Sequence, residues 1–231
     1  MSPLPHLVSR RELRLVGLCY LAIIALGLFS EAFVRGTLVV AGDAAATARH
    51  IAAQPQLWRL GLGADLLMQV LDVPVIVVLW RLLRPVNETL ALTATGLNLV
   101  QTAVLVANRV QLLAALDLLT GTAMQDAFLP GQRDALAMLA VDLHGQGFGI
   151  GLVFFGVACV IRGALIIASG VVPRLLGWGL AAAGLAYLLN SFALLLAPAF
   201  ARLLFPAVML PVLVGELAFA LWLTLSGRLR L

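Results

Sequence analysis

Six long apolar stretches constrain this chain more than any other feature of its sequence. Each is long enough to cross a bilayer as a helix, which takes about 20 residues. We predict transmembrane helices at residues 15–35, 58–83, 88–113, 137–162, 174–197 and 204–226. A lone strand cannot satisfy its backbone polar groups in lipid. The predicted fold class is therefore all-α: a polytopic six-helix bundle, with residues 1–231 forming a single membrane domain.

The composition excludes the other broad classes of protein. Hydrophobic residues make up 62% of the 231 residues, charged residues make up 11%, and the mean hydropathy is +1.07. Such a chain has too few polar residues to cover a soluble core, and it is far too apolar to be disordered. All fifteen basic residues are arginines, spread over short loops and helix ends. No basic, aromatic-rich patch is present, so we expect the lipid bilayer as a partner and no nucleic acid.

The arginines also predict the orientation of the chain. Loops on the cytoplasmic side of a membrane carry an excess of basic residues. With the N-terminus inside, most of the fifteen arginines lie on that side: Arg10, Arg11, Arg14, Arg81, Arg84, Arg162, Arg174, Arg228 and Arg230. We therefore predict that both termini are cytoplasmic. The complete preference for arginine over lysine is typical of a GC-rich bacterial genome, so we expect the bacterial inner membrane as the location.

Ionisable side chains inside apolar helices are costly and need a partner or water. Counting about 1.5 Å per residue from the inner arginines places one group of them near the outer helix ends. This predicted cavity rim consists of Glu31, Arg35, Asp65, Arg109, Asp142 and His144. Glu31 and Arg35 are four residues apart and can pair on one helix face, and we expect Arg109 to pair with Asp65 or Asp142. Purely structural contacts between helices are an equally open explanation for these pairs.

A second group of polar residues is predicted to form a ligand or proton site. Its members are Asp72, Glu216, Asn190, Gln69 and Gln101. Asp72 and Glu216 stand out because no basic residue is expected at their depth. Pro74 and Pro211 are expected to kink the second and sixth helices and to leave backbone carbonyls unbonded near these carboxyls. Proline kinks are also common in membrane helices that have no such role.

No sequence pattern predicts a metal site, a cofactor site or a nucleophile. The three histidines are scattered and match no zinc motif. Asp142 and His144 are two residues apart, which points them to different sides of a regular helix. The alternating glycines of residues 145–151 follow no strand, so they predict close helix packing and not a phosphate-binding loop. We therefore expect no metal and no cofactor.

Several short stretches, taken together, resemble a bacterial integral membrane family known as domain of unknown function 4386. They span nearly the whole chain from about residue 11 onward: Leu26–Arg35, Gly42–Thr47, Ala64–Met68, Arg84–Asn87, Asp142–Gly145, Gly151–Gly156 and Leu213–Trp222. The resemblance implies an integral membrane protein and supplies no reaction or substrate. These stretches include many of the costly polar residues, among them Glu31, Asp65 and Glu216.

Our leading functional prediction is the binding or passage of a small solute or proton through a polar cavity open to the outer face. One alternative is an intramembrane enzyme that acts on lipid, with Asp142 and His144 as its acid–base groups. Another is a non-catalytic accessory subunit of a membrane complex. The sequence leaves open whether the protein is an enzyme, and it leaves the oligomeric state open.

Overall fold

The computed structural model describes residues 8–205 and 207–225, and within these ranges the chain is all-α with no strand. The described residues contain nine helices, which follow one another in this order: α1 (Arg10–Leu38), α2 (Ala44–Ala53), α3 (Pro55–Leu83), α4 (Glu88–Thr120), α5 (Thr122–Ala127), α6 (Pro130–Ser169), α7 (Arg174–Leu196), α8 (Pro198–Leu204) and α9 (Leu210–Leu225). A single 3₁₀ turn, Ala207–Met209, leads into α9. The end of the predicted sixth span, Ser226, and the arginines Arg228 and Arg230 lie outside the described residues.

Six of these helices are long and apolar enough to span a membrane, which confirms the predicted number. They are α1, α3, α4, α6, α7 and α9. The third and fourth spans are longer than predicted, because α4 has 33 residues and α6 has 40. At 1.5 Å per residue, α6 is about 60 Å long, roughly twice the thickness of a hydrocarbon core. The protein is therefore a multi-pass membrane protein with helices that extend beyond the apolar stretches.

The described residues form two compact units. The first unit takes in the described parts of Met1–Ile23, Val70–Ala103 and Gly149–Leu231. The second unit takes in Ile24–Gln69 and Val104–Phe148. Four of the spans, α1, α3, α4 and α6, contribute residues to both units, whereas α7 and α9 belong entirely to the first.

The second unit is built around Trp58, which is fully buried among aliphatic side chains. Its indole Nε1–H donates to the backbone carbonyl of Leu112 at 2.9 Å, so the polar end of this large side chain is satisfied inside the core. The short helix α2 packs Ile51 into the same core. Asp43 caps α2, and its carboxylate accepts the N–H of Ala46 at 2.8 Å.

The first unit is held together by glycines that let helices approach closely. A Cβ added to Gly163 of α6 would lie 2.6 Å from the carbonyl oxygen of Gly177 in α7. Likewise, Gly215 of α9 packs directly against the backbone of Gly179 in α7. This is the small-residue packing expected in a membrane. Gly145 is one of the glycines predicted to pack closely, but it does not do so, since a Cβ added there would meet open space.

The two prolines predicted to kink spans lie in different settings. Pro74 lies inside α3, as expected. Because it has no N–H, it cannot bond the carbonyl four residues earlier. Pro211, in contrast, is the second residue of α9, where an N–H has no partner within the helix in any case. The expected kink below Glu216 is therefore wrong, since the helix begins only one residue before Pro211.

Candidate functional sites in the apolar helices

Five of the predicted rim residues meet in the second unit and form what we call the charged cluster: Glu31, Arg35, Asp65, Arg109 and His144. Arg35 is its centre. Its Nε donates to Glu31 Oε2 at 2.7 Å, and its Nη1 donates to Asp65 Oδ2 at 2.7 Å. Asp65 is fully buried, whereas the Glu31 side chain is 69% exposed. The predicted pair of Glu31 and Arg35 is confirmed, and Arg35 joins it to a buried carboxylate on α3.

The part of α1 that carries Glu31 and Arg35 is π-helical, over Phe29–Arg35. The N–H of Gly36 bonds the carbonyl of Glu31, five residues earlier. π-Helical segments are rare, and those that occur are often found at functional sites. Ser30 fixes this segment to α3, since its hydroxyl donates to the carbonyl of Gly61 at 3.1 Å. The sequence pattern did not predict the π-helical turn, because apolar periodicity does not distinguish it from an α-helix.

Arg109 of α4 is buried, with 2% exposure, and reaches the same carboxylate. Its Nε lies 3.5 Å from Asp65 Oδ2, which confirms the prediction that Arg109 pairs with Asp65 or Asp142. Its Nη1 lies 3.0 Å from His144 Nε2, and its guanidinium carbon lies 5.8 Å from the ring centre of Phe148. Its Nη2 is buried and has no hydrogen-bond partner among the described residues. Two guanidinium groups therefore share one buried carboxylate.

The contact with Arg109 also defines the state of His144. An arginine has only donors, so His144 Nε2 accepts from Arg109, and the imidazole is therefore neutral. Asn108 holds the other side of the ring, and its Nδ2 donates to the backbone carbonyl of His144 at 2.8 Å. Gly147 makes room for this amide, because any Cβ at that position would collide with Asn108.

The sixth predicted rim residue does not join the charged cluster. Asp142 is exposed on α6, while His144, two residues further on, is buried. The helix thus separates these two side chains, as their spacing predicts. Beside Arg35 lies a crevice of about 150 Å³, lined mostly by apolar residues including Val34, Trp58 and Leu112, that does not enclose a water molecule. Of the charged cluster, Arg35 lines this crevice.

A different network, the amide cluster, lies in the first unit and consists of Asp72, Asn98, Gln101, Thr102 and Arg162. Asp72 Oδ2 accepts hydrogen bonds from Asn98 Nδ2 and from the Thr102 hydroxyl, both at 2.9 Å. Asn98 Nδ2 also donates to Gln101 Oε1 at 2.9 Å. Arg162 Nη1 donates to the side-chain oxygen of Asn98. The fully buried Asn98 therefore links an acid and a base through its amide.

The position of Arg162 corrects the sequence analysis. Arg162 was predicted to mark the cytoplasmic end of the fourth span, but α6 continues to Ser169 and Arg162 is only 4% exposed. The expectation that no base lies near Asp72 is therefore wrong. The predicted fourth span ends at residue 162, although the sequence stays apolar for several residues beyond it. This apolar continuation was the signal that could have placed Arg162 inside the helix.

The other predicted ligand residues are distributed over both units. Glu216 of α9 is 8% exposed, the hydroxyls of Tyr20 and Tyr187 lie near its carboxyl, and its Oε1 has no partner among the described residues. Asn190 of α7 is half-buried in the same unit. Gln69 is buried in the second unit, where its Oε1 also has no partner within the described chain. Four of the five predicted ligand residues therefore belong to the first unit, and Gln69 belongs to the second.

Six spanning helices with buried ion pairs and amide networks define an integral, multi-pass membrane protein. The family model for the domain of unknown function DUF4386 matches residues 15–227, so the chain belongs to that family. No curated protein and no solved structure matches the chain.

Proposed function

We propose that this protein binds or passes a proton, coupled to a small solute, from the outer face of a bacterial inner membrane. In this proposal residues 1–231 act as one membrane domain with both termini in the cytoplasm. Glu216 is the proton-carrying group. The observation that carries the proposal is the environment of this carboxyl, which is buried in an apolar helix and has one oxygen without a hydrogen-bond partner.

The surroundings of Glu216 support proton binding. Its carboxyl has two tyrosine hydroxyls as neighbours, and no described basic side chain forms an ion pair with it. An ionisable residue in a membrane helix is costly to keep without a function. A carboxylate only accepts hydrogen bonds, whereas a protonated carboxyl also donates one. A hydroxyl can both donate and accept, so it can bond either form. Tyr20 and Tyr187 can therefore follow a change in the protonation of Glu216.

Asp72 is proposed as a second polar group of the same unit, with a different role. Its carboxylate is held by Asn98 and Thr102, and Asn98 connects it to Arg162. This arrangement holds Arg162 one amide away from Asp72 and leaves the carboxylate half-buried. We propose that Asp72 and the amides joined to it through Asn98, including Gln101, are polar groups along the proton path, while Glu216 carries the proton.

Proton flux into proteoliposomes tests this function. Purified protein is reconstituted with an entrapped pH dye, and a pH gradient is imposed with the membrane potential clamped. The wild-type protein should acidify the lumen faster than empty liposomes. Glu216→Gln should abolish the excess rate, since the amide keeps the shape of the side chain and cannot carry a proton. Asp72→Asn should keep part of the rate.

Glu88→Gln is the matched control, because Glu88 is an exposed acid at the start of α4. It should leave the flux unchanged. A wild-type rate equal to that of empty liposomes, or a Glu216→Gln rate equal to the wild-type rate, would contradict the proposal. Folding of each variant is checked by gel filtration and thermal unfolding in detergent, so that a lost rate is assigned to chemistry.

A further inference from the structure

The charged cluster carries an imbalance of charge that has no role in the proposed proton pathway. Arg35 and Arg109 both contact a single oxygen of Asp65, at 2.7 Å and 3.5 Å. The remaining acid, Glu31, is 69% exposed, and His144 is neutral because its Nε2 accepts from Arg109. The buried part of the cluster therefore holds two positive charges against one negative charge.

Unused hydrogen-bond donors accompany this excess positive charge. Arg109 Nη2 is buried without a partner, and Arg109 Nε has only the longer contact with Asp65. A guanidinium presents its N–H groups in a planar fork that matches the two oxygens of a carboxylate or phosphate. A buried arginine with free donors is costly in a membrane, and an oxyanion is the ligand that satisfies it best.

We propose that Arg35 and Arg109 form an oxyanion-binding site in which Glu31 occupies the place of the ligand in the unliganded state. This inference rests on the proposed function, because it names the chemical class of the solute. The ligand carries a carboxylate or a phosphate group. It displaces the exposed Glu31 carboxylate from Arg35 and bonds the free donors of Arg109, while Asp65 keeps the two guanidiniums together.

The difference in exposure between Glu31 and Asp65 supports the displacement of Glu31 by the ligand. An ion pair with a solvent-exposed carboxylate contributes little net stability, so Glu31 is easily replaced. Asp65 is fully buried and bonds Arg35 through two contacts, at 2.7 Å and 3.4 Å, so it stays.

The π-helical segment provides a physical means for this movement. Glu31 and Arg35 both lie on it, and the segment continues as an α-helix on either side. A π-helical turn contains one residue more than the α-helical turn it replaces, so it can shift its bulge by one residue without breaking the helix. Such a shift moves Glu31 relative to Arg35 and leaves both flanking helices in place.

Thermal unfolding of purified protein in a neutral detergent measures oxyanion binding. Sodium phosphate and sodium acetate are titrated separately against sodium chloride at constant ionic strength, and the shift in Tm gives an apparent Kd. A saturable rise with phosphate or acetate, and none with chloride, is expected for a free oxyanion. Nanodiscs of phosphatidylcholine with and without phosphatidylglycerol test the second source, a lipid headgroup phosphate.

Variants separate this site from general ionic effects. Arg109→Met should weaken binding about tenfold or more, the loss expected for charged hydrogen bonds, and Arg109→Lys should weaken it less. Glu31→Gln should tighten binding up to about fivefold, because the competing carboxylate is gone. Arg59→Met is the matched control at an exposed arginine of α3 and should leave the Kd unchanged. If Arg109→Met does not fold, Arg109→Lys with Glu31→Gln decides the question.

Three results would overturn the proposal. The first is the absence of a saturable shift with phosphate, acetate and phosphatidylglycerol alike. The second is an equal shift in wild type, Arg109→Lys and Arg59→Met. The third is weaker binding in Glu31→Gln. None of these measurements depends on proton flux, so a failure of the Glu216 proposal and a failure of the oxyanion site are distinguishable.

Discussion

The charged cluster and the amide cluster solve the same problem in two ways. Both keep acids and bases inside apolar helices. In the charged cluster, Arg35 and Arg109 contact Asp65 directly, and bases outnumber buried acids. In the amide cluster, Asn98 stands between Asp72 and Arg162, and the same unit contains a further buried acid, Glu216. Direct pairing fixes the charges in place, whereas an amide bridge lets either partner change its state alone.

This difference predicts that the two clusters respond unequally to the loss of one member. The largest effect is expected for Asp65→Asn, which leaves two guanidiniums without their common buried anion. Breaking a buried pair in this way costs about 3–5 kcal/mol. Chemical unfolding in detergent measures the free energy of unfolding. Asp142→Asn, at the exposed acid two residues before His144, should change it by less than about 0.5 kcal/mol.

A double variant sharpens this prediction. Adding Arg109→Met to Asp65→Asn should recover part of the lost stability, because one of the two uncompensated charges is removed. Equal destabilisation by Asp65→Asn and by Asp142→Asn would show that Asp65 does not hold the charged cluster together.

The next effect tests the close packing of the first unit. Gly163→Ala should destabilise the protein by about 1–3 kcal/mol, because the added Cβ would lie 2.6 Å from the carbonyl oxygen of Gly177 and force α6 and α7 apart. Gly145→Ala is the control on the same helix, where the Cβ meets open space. It should be neutral or slightly stabilising. Equal losses from the two variants would contradict the packing described here.

The smallest effect is expected in the amide cluster. Thr102→Val removes one hydrogen bond to Asp72 and leaves the bond from Asn98 in place. The cost should be about 1 kcal/mol, the usual net value of one hydrogen bond. Thr93→Val is a suitable control, because the Thr93 hydroxyl donates only to the backbone of its own exposed helix turn. A loss as large as that of Asp65→Asn would mean that the amide cluster is not the more tolerant of the two.

Much of this architecture could be predicted from the sequence, because hydropathy and residue spacing act locally. The six spans follow from apolar length, the pair of Glu31 and Arg35 follows from a spacing of four, and the pairing of Arg109 with an acid follows from the cost of an unpaired charge in lipid. Each of these conclusions needs only the chain itself and the properties of a bilayer.

The features that the sequence did not predict depend on where helices end and on which helix faces meet. The sequence predicts that a span ends at Arg162, and only the continuation of α6 to Ser169 shows that Arg162 lies inside the helix. The start of α9 decides whether Pro211 bends a helix, and apolar residues on both sides conceal that start. The π-helical turn at Phe29–Arg35 leaves no mark on hydropathy. Sequence spacing also could not tell that Asn98 links Asp72 to Arg162 across helices.

Infrared difference spectroscopy shows whether the Glu216 carboxyl binds a proton, because it observes the protonated group itself and requires no knowledge of the solute. Spectra of reconstituted protein are recorded over a pH series. We expect the carbonyl stretch of a protonated carboxyl to change with pH in the wild-type protein and in Glu88→Gln. We expect one component of this change to be absent in Glu216→Gln, while the other carboxyls of the chain contribute the remainder. A band that titrates identically in Glu216→Gln and in wild type would contradict the account.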